Sequence, residues 1–420
     1  MKPLRLALLG CGSRGRTYIR IAAGMPERYE IVAVADRDEA KTAAVAKLRD
    51  PGEIRVFESD EALFAEGKIA DVLIIATQDA DHYGHAMQAL EVGYDILLEK
   101  PASETLERCE QLDAKAKEVG RRIMLCFVLR YTPFYRAVRD FIDSGRLGRV
   151  MTIRASEGVE AFHNAHSYVR GHWSSTSKSS PMIVAKCSHD TDLMCWYAGS
   201  EPKAVTSHGR LDWFKKENAP AGAPLRCTDG CPVAGECIYD AHRYLDEKRN
   251  FLRMVMPGAE EQTKAADGIA NEDIMEFIRT SDWGRCVYHC DNDVVDHQVV
   301  ATEMENGVTA SLTMTAFDCN RTIEVHGTRG TLRGGEPFVE GGAAELWFRD
   351  HRDGKFEAIP VEEPHDDGYT SHGGGDYGII DALDRILAGP DAMEPGLDGI
   401  GGHRLAYRAE ESRLAGGEPR

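Results

Sequence analysis

The chain predicts an α/β fold in two parts, a doubly wound parallel sheet at the N-terminus and a C-terminal α+β domain with a large, mainly antiparallel sheet. Three observations carry this. Apolar runs and helical stretches alternate up to Val128; a glycine-rich turn follows the first run directly; and after Arg130 strand-like runs dominate. At 420 residues the chain accommodates two domains, and 1–128 and 129–420 are the expected bounds.

The apolar runs 4–9, 31–35, 72–76, 96–98 and 123–128 are continuous, as strands buried on both faces of a parallel sheet require. Helical periodicity separates them at 17–23, 39–48, 83–92 and 106–119. A further helix is expected over 134–144, then strands at 150–156, 299–304, 308–317, 322–327 and 346–349, and closing helices at 377–387 and 403–414. Between them lies an irregular polar insertion, about 213–282.

The turn behind the first strand reads Gly10-Cys11-Gly12-Ser13-Arg14-Gly15, and the second strand ends on Asp36. Strand, glycine turn, helix, strand and acidic cap together form a dinucleotide-binding fingerprint, so the first domain is expected to be a Rossmann domain. Gly10 makes the tight turn, Gly12 lets backbone approach a pyrophosphate, and Gly15 lets the helix pack on the strand. The phosphates would rest on the positive end of the helix opened by Ser13 and Arg14. Asp36 can accept both ribose hydroxyls of NAD and would repel a 2′-phosphate, an effect that Arg37 could soften.

Composition excludes several other classes. Hydrophobic residues at 42% and charged residues at 28% are ordinary for a soluble globular enzyme. A net charge of −19 would repel nucleic acid and anionic membranes, so neither is an expected partner. The apolar start is too short for a signal peptide, no run approaches the ~20 residues that span a bilayer, and a cytoplasmic protein is expected. The eleven cysteines do not resemble a secreted disulfide framework. Cys227, Cys231 and Cys237 cluster in one loop of the insertion and Cys286 and Cys290 form a second pair. With Cys290 taken over Cys286 as fourth ligand, the set suits a structural zinc that would order the insertion; an iron–sulfur centre and plain reduced thiols are the other readings.

Glu99-Lys100-Pro101 closes the fifth strand, at the carboxyl end of the sheet where such folds bind ligands, and Pro101 is a candidate for a cis bond. With the glycine turn, with Ala76-Thr77 followed by His82, with Ser188-His189-Asp190-Thr191-Asp192-Leu193 and with the closing Ala406…Glu411-Ser412 helix, the chain resembles the glucose–fructose oxidoreductase, inositol dehydrogenase and rhizopine-catabolism (Gfo/Idh/MocA) family over nearly its whole length. The resemblance implies an NAD-dependent oxidoreductase acting on a secondary hydroxyl of a sugar, polyol or glycoside. It also implies a homo-oligomer, dimer or tetramer, through the open sheet of the second domain.

Carried over by motif, Lys100 contacts the nicotinamide ribose and the reacting hydroxyl, and His189 is the acid/base that takes the hydroxyl proton. Such a base and a nearby cation suit hydride loss from a developing alkoxide. Thr77, Gln78, His82 and Glu99 join the cofactor-binding set, although Gln78-Asp79 stands where the family usually has asparagine. The family's aspartate four residues before the histidine is Ala185 here, followed by Lys186, which could act as a second cation, a base or an anchor for an anionic substrate group. Arg130 and Tyr131, together with His166, Arg170 and Trp173 from the donor-rich stretch 163–173, are the further substrate-binding candidates; hydrogen-bonding groups beside a flat ring suit a sugar. Two alternatives stay open: an NAD-dependent glycosidase working by transient oxidation, elimination, hydration and re-reduction, and a non-enzymatic nucleotide sensor, against which Lys100 and His189 argue.

Overall fold

The computed structural model describes residues 2–48, 53–256, 268–336, 343–365, 372–390 and 392–420. Six parallel strands open the chain: β1 (Leu4–Leu9), β2 (Tyr29–Ala35), β3 (Arg55–Phe57), β4 (Val72–Ile75), β5 (Asp95–Leu98) and β6 (Arg122–Leu125). Sheet order runs β6-β5-β4-β1-β2-β3, so the order reverses at β1. Every residue of β4 is buried, which is why the run reads as continuously apolar. Helix boundaries follow local chemistry: the Thr105 side chain accepts the Arg108 N–H and starts the helix Leu106–Val119. The short pair β3 and helix Asp60–Ala65 is an addition to the expected series; three residues of β3 carry too little pattern to be read from sequence.

The chain divides into two units, Met1–Arg136 with Glu362–Arg404, and Ala137–Val361 with Leu405–Arg420. The expected boundary at 128/129 is therefore corrected: the first unit continues to Arg136 and regains a late segment. That segment belongs there for three reasons. Strand Gly396–Leu397 adds in parallel to β6 as the sheet's seventh strand. The helix Gly375–Ala388 contributes Ile379, Ile380, Leu383 and Leu387 to the apolar core around β1 and β2. Arg28, which precedes β2, pairs with Asp381 and Asp384 of that helix at 2.6 Å each.

In the second unit eight strands form one sheet: β7 (Val150–Val159), β8 (Pro202–Arg210), β9 (His297–Met304), β10 (Thr309–Thr315), β11 (Cys319–Gly327), β12 (Gly330–Gly335), β13 (Glu345–Asp350) and β14 (Phe356–Ala358). Their order is β14-β13-β12-β11-β7-β10-β9-β8, and only β7 and β10 run parallel. The two faces differ as strand alternation demands. On β9 every second residue is buried, and the intervening Val299 is about half exposed. The helix Ser188–Ala198, nearly all of it buried, packs on the covered face against β7 and β10.

The insertion, outside 257–267, which lie beyond the described residues, contains the helix Asn271–Thr280 and several 3-10 turns. It is ordered by apolar packing of its own. Phe162, Tyr244, Leu252, Ile274 and Ile278 form one cluster, and Phe214, Tyr239, Val287 and Tyr288 form a second with Ala165 and Val169. The irregular sequence concealed these contacts because they join residues without a common period. Among the described residues no helix is long and apolar enough to cross a membrane.

One buried ion set ties the late segment to the glycine turn. Arg14 gives Nη2 to Asp376 at 2.6 Å and Nε to Glu99 at 2.8 Å, and the Tyr18 hydroxyl donates to Glu99 at 2.6 Å. Burial alone would raise the Asp376 carboxyl; Arg14 and His372 overcome it and hold the group far below the usual carboxylate range. Asp376→Asn should cost about 3 kcal/mol, the low end for orphaning a buried charge because the Arg14 side chain is still 30% exposed. A depressed carboxyl stabilises the fold above its unfolded pKa of ~4 and loses that contribution as pH falls below it. The wild type should therefore lose stability more steeply in acid than the Asn variant, as urea denaturation across a pH series will measure.

Candidate active site

The first unit carries a nucleotide-binding turn whose three glycines do different work. Gly10 has φ +94°, and a Cβ there would stand 2.5 Å from the Ala76 carbonyl oxygen. At Gly15 a Cβ would come within 2.1 Å of the Gly10 carbonyl oxygen, so both positions are closed by the protein itself. Beside Gly12 no atom lies within 4 Å of such a Cβ, which leaves its backbone open to a ligand. Ser13, exposed, begins the helix Ser13–Ala23, whose first turn offers unpaired N–H groups. The Asp36 carboxylate is oriented by the N–H groups of Cys11 at 2.7 Å and Asp38 at 2.9 Å, which fixes it at the end of β2 beside the turn. These residues fit a dinucleotide.

Other expected cofactor contacts prove to hold the protein together. Arg14 and Glu99 belong to the buried ion set, and Glu99 also accepts the Lys100 N–H at 3.0 Å. Although burial would raise it, the Arg14 guanidinium, backed by Lys100, holds the Glu99 carboxyl below its ordinary value. His82 is buried, with Nδ1 at 2.7 Å from the Pro101 carbonyl oxygen and Nε2 at 3.2 Å from that of Thr77. It thus connects the loops behind β4 and β5. Thr77 Oγ1 meets His85 at 3.1 Å, His85 meets Asp60 at 3.3 Å, and Asp60 pairs with Arg37 at 3.3 Å. Gln78 is exposed and precedes the turn Asp79–Asp81 without a side-chain capping bond to it. The Lys100–Pro101 bond is cis.

Sequence reasoning missed His403, which accepts the Ala102 N–H on Nε2 at 3.0 Å. Burial, with the Lys100 charge, lowers it to about 4, so its ring is neutral at physiological pH. Arg130 is held by both oxygens of Asp398, at 3.0 and 3.2 Å, and Tyr131 packs against the first unit's core.

In the second unit His189 lies buried in the first turn of the helix Ser188–Ala198, over the covered face of the sheet. Lys186 does not point to solvent: it reaches Glu157 Oε1 of β7 at 3.3 Å. Glu157 Oε2 meets Arg321 Nε of β11 at 2.5 Å, and Arg321 also meets Asp190 at 3.0 Å and Glu336 at 3.6 Å. Glu157 and Arg321 stand directly opposite each other in the β7–β11 register, so the pair is set by sheet pairing. Burial, and the Glu157 charge beside it, push the Asp190 carboxyl up to about 7 against the pull of Arg321. A buried charge cluster therefore surrounds the start of the helix that carries His189.

The donor-rich stretch turns inward. Ala161–Asn164 is helical, and Ala165–Val169 widens to a π turn. His166 places Nδ1 at 2.6 Å from the Tyr244 hydroxyl, and burial lowers its ring to about 3. Arg170 is buried among insertion groups, donating to the carbonyls of Arg285 and Tyr239 at 2.7 Å each. Trp173 is half-buried, its ring 6.1 Å from that of Tyr168. The expected sugar contacts of His166 and Arg170 therefore give way to contacts within the unit, because the insertion's aromatic residues cover that stretch.

The expected zinc set is altered as well. No group of three Cys, His, Asp or Glu side chains among the described residues is arranged to hold a metal. Cys290 turns its S–H to the Cys286 carbonyl at 3.4 Å, while Cys286 lines a pocket with Cys227, Cys231 and Cys237.

A nucleotide turn in the first unit and a buried histidine motif in the second define an NAD-binding oxidoreductase of two domains. Comparison with known proteins gives the family. Residues 4–127 match the domain described as "Oxidoreductase family, NAD-binding Rossmann fold", and residues 135–253 match the "GFO/IDH/MocA C-terminal domain". The chain belongs to the Gfo/Idh/MocA family. It is 26% identical over 407 residues to the candidate oxidoreductase YteT of Bacillus subtilis, covering 91% of each chain. It is also 26% identical over 206 residues to inositol 2-dehydrogenase 2 of Saccharopolyspora erythraea, spanning 49% of this chain and 57% of that protein. An Agrobacterium radiobacter oxidoreductase, solved in complex with NAD+, L-tartaric acid and magnesium, shares the fold with a TM-score of 0.66 at 16% identity, covering 99% and 98% of the two chains.

The Asp190 shift has a measurable sign. A carboxyl raised in the folded state favours folding below its unfolded pKa of ~4 and loses that contribution as pH rises through about 7. Asp190→Asn should remove this part of the stability decline between those limits, a result that denaturation midpoints at successive pH values will show.

Proposed function

We propose that the protein is a cytoplasmic, homo-oligomeric NAD-dependent dehydrogenase that oxidises a secondary hydroxyl of a sugar or polyol. The observation that carries this reading is His189, buried with its motif intact and flanked by the Lys186–Glu157–Arg321 charges, in a chain whose first unit presents the open backbone of Gly12. Bound NAD+ would supply the hydride acceptor. His189 takes the hydroxyl proton as the C–H bond yields hydride, and Lys100 stabilises the alkoxide character that develops. The inositol dehydrogenase relative supports a polyol as substrate class. Eleven unbridged cysteines suit a reducing compartment. The open face of the eight-stranded sheet, where Val299 and Trp347 are exposed, is the surface for pairing copies. For the glycosidase alternative an extra base such as Lys186 would be useful, and its pairing with Glu157 disfavours that use.

A panel of inositols, aldoses and glycosides with NAD+ tests the reading, following NADH and released sugar together. Net NADH supports the dehydrogenase; sugar release without NADH would replace it with the glycosidase. Lys100→Ala and His189→Ala should each lower turnover by ~10²-fold or more. NAD+ affinity should survive in the His189 variant, and near-normal turnover there would move the base elsewhere. Because Asp36 is oriented by two backbone N–H groups, NAD+ should bind more tightly than NADP+ in a calorimetric titration, and Asp36→Ala should narrow the difference.

A further inference from the structure

The insertion holds chemistry that hydride transfer does not use. Cys227, Cys231, Cys237 and Cys286 line one small cavity of about 20 Å³ together with Arg170 and Asp240. Local backbone geometry gathers them. The bridge between Arg226 and Arg285 places the next residue on one strand and the next on the other, Cys227 and Cys286, toward the same side. It is closed by Cys227 N–H to the Gly284 carbonyl at 3.0 Å and Cys286 N–H to the Leu225 carbonyl at 2.9 Å. A turn in which Ala234 N–H meets the Cys231 carbonyl at 3.3 Å, and Cys237 N–H the Val233 carbonyl at 2.9 Å, brings up the other two.

The second observation is charge. Arg170 is only 4% exposed, and no carboxylate pairs with its guanidinium among the described residues. Its Nη2 lies 3.6 Å from Cys227 Sγ, and its further side-chain partner is the uncharged Tyr244 hydroxyl. Asp240, on the same wall, is engaged by the His242 N–H at 3.1 Å and its ring at 2.8 Å. A buried guanidinium with no carboxylate partner lacks the counter-charge that burial of an ion requires. Four thiolates around a divalent ion carry a net double negative charge and provide it.

We propose that Cys227, Cys231, Cys237 and Cys286 form a tetrathiolate site for one divalent, zinc-like ion, with Arg170 as its buried counter-charge. The four sulfurs line the cavity without being arranged for ligation, so binding the ion requires them to reorient. The ion displaces one proton from each thiol, with no change of oxidation state, so affinity falls as pH falls. The cavity has room for at least one water-sized group among the four cysteines. The ion would join the loop of the first three cysteines to the Cys286 segment and so rivet the insertion.

The test uses the full-length protein purified without chelator. Elemental analysis should find one zinc per chain, and exchange for Co2+ should give the intense near-ultraviolet thiolate-to-cobalt band of a four-sulfur site. Cys286→Ser should lose the stoichiometric metal and that band, while Cys290→Ser keeps both. Arg170→Met should weaken Zn2+ binding by ~10–100-fold, the scale for a group supporting a metal's ligands. If Cys286→Ser fails to fold, chelation and Zn2+ re-addition on the wild type decide, because the melting temperature must fall and recover. The proposal is overturned by folded protein that carries no metal and develops no band with Co2+. Stoichiometric iron with a visible chromophore, or loss in Cys290→Ser with retention in Cys286→Ser, would overturn it as well.

Discussion

The contact between Arg14 and the carboxylates of Glu99 and Asp376 organises the first unit. It joins three parts far apart in sequence: the glycine turn, the carboxyl end of β5 and the late helix Gly375–Ala388. Because both carboxylates are buried and share Arg14 as their cation, displacing it strands them, and a stranded buried ion costs more than any single apolar contact supplies. The set thereby links the glycine turn and the end of β5 to the helix that precedes the sheet's last strand. Arg14 sits inside the nucleotide motif, yet its guanidinium is engaged by the protein.

The second unit relies on strand parity. Glu157 and Arg321 face each other on the covered side of the sheet, where an unpaired charge would be untenable, and the helix bearing His189 closes over them. Lys186 enters the same cluster through the other oxygen of Glu157. The departure from the family's aspartate is therefore less a loss than an exchange: a carboxylate beside the histidine gives way to two cations shared among Glu157, Asp190 and Glu336.

The insertion shows how a polar sequence can still build a core. Its aromatic residues close over the π turn at Ala165–Val169, and His166 and Arg170 become interior groups bonded to the insertion itself. Donor-rich composition suggested a sugar-facing wall. Burial reversed the direction in which those donors point.

What the sequence by itself determined is what short-range chemistry encodes. The continuous apolar run at 72–76 marked β4, every residue of which is buried, and the tight turn at Gly10 and the close approach at Gly15 could be read from the glycine spacing. The family motifs around Lys100 and His189 were equally legible, being strings of neighbouring residues. Only the tertiary structure could decide the remainder. Strand Gly396–Leu397 is too short to carry a pattern, and its place depends on pairing with a strand more than half the chain away. Glu157 became Lys186's partner through sheet register, His403 came to face Ala102 through the fold of a distant helix, and Cys286 rather than Cys290 reached the cysteine pocket because one bridge fixed the side to which it points. Each of these is a relation between residues distant in sequence, and spacing along the chain holds no information about such relations until the backbone has closed around them.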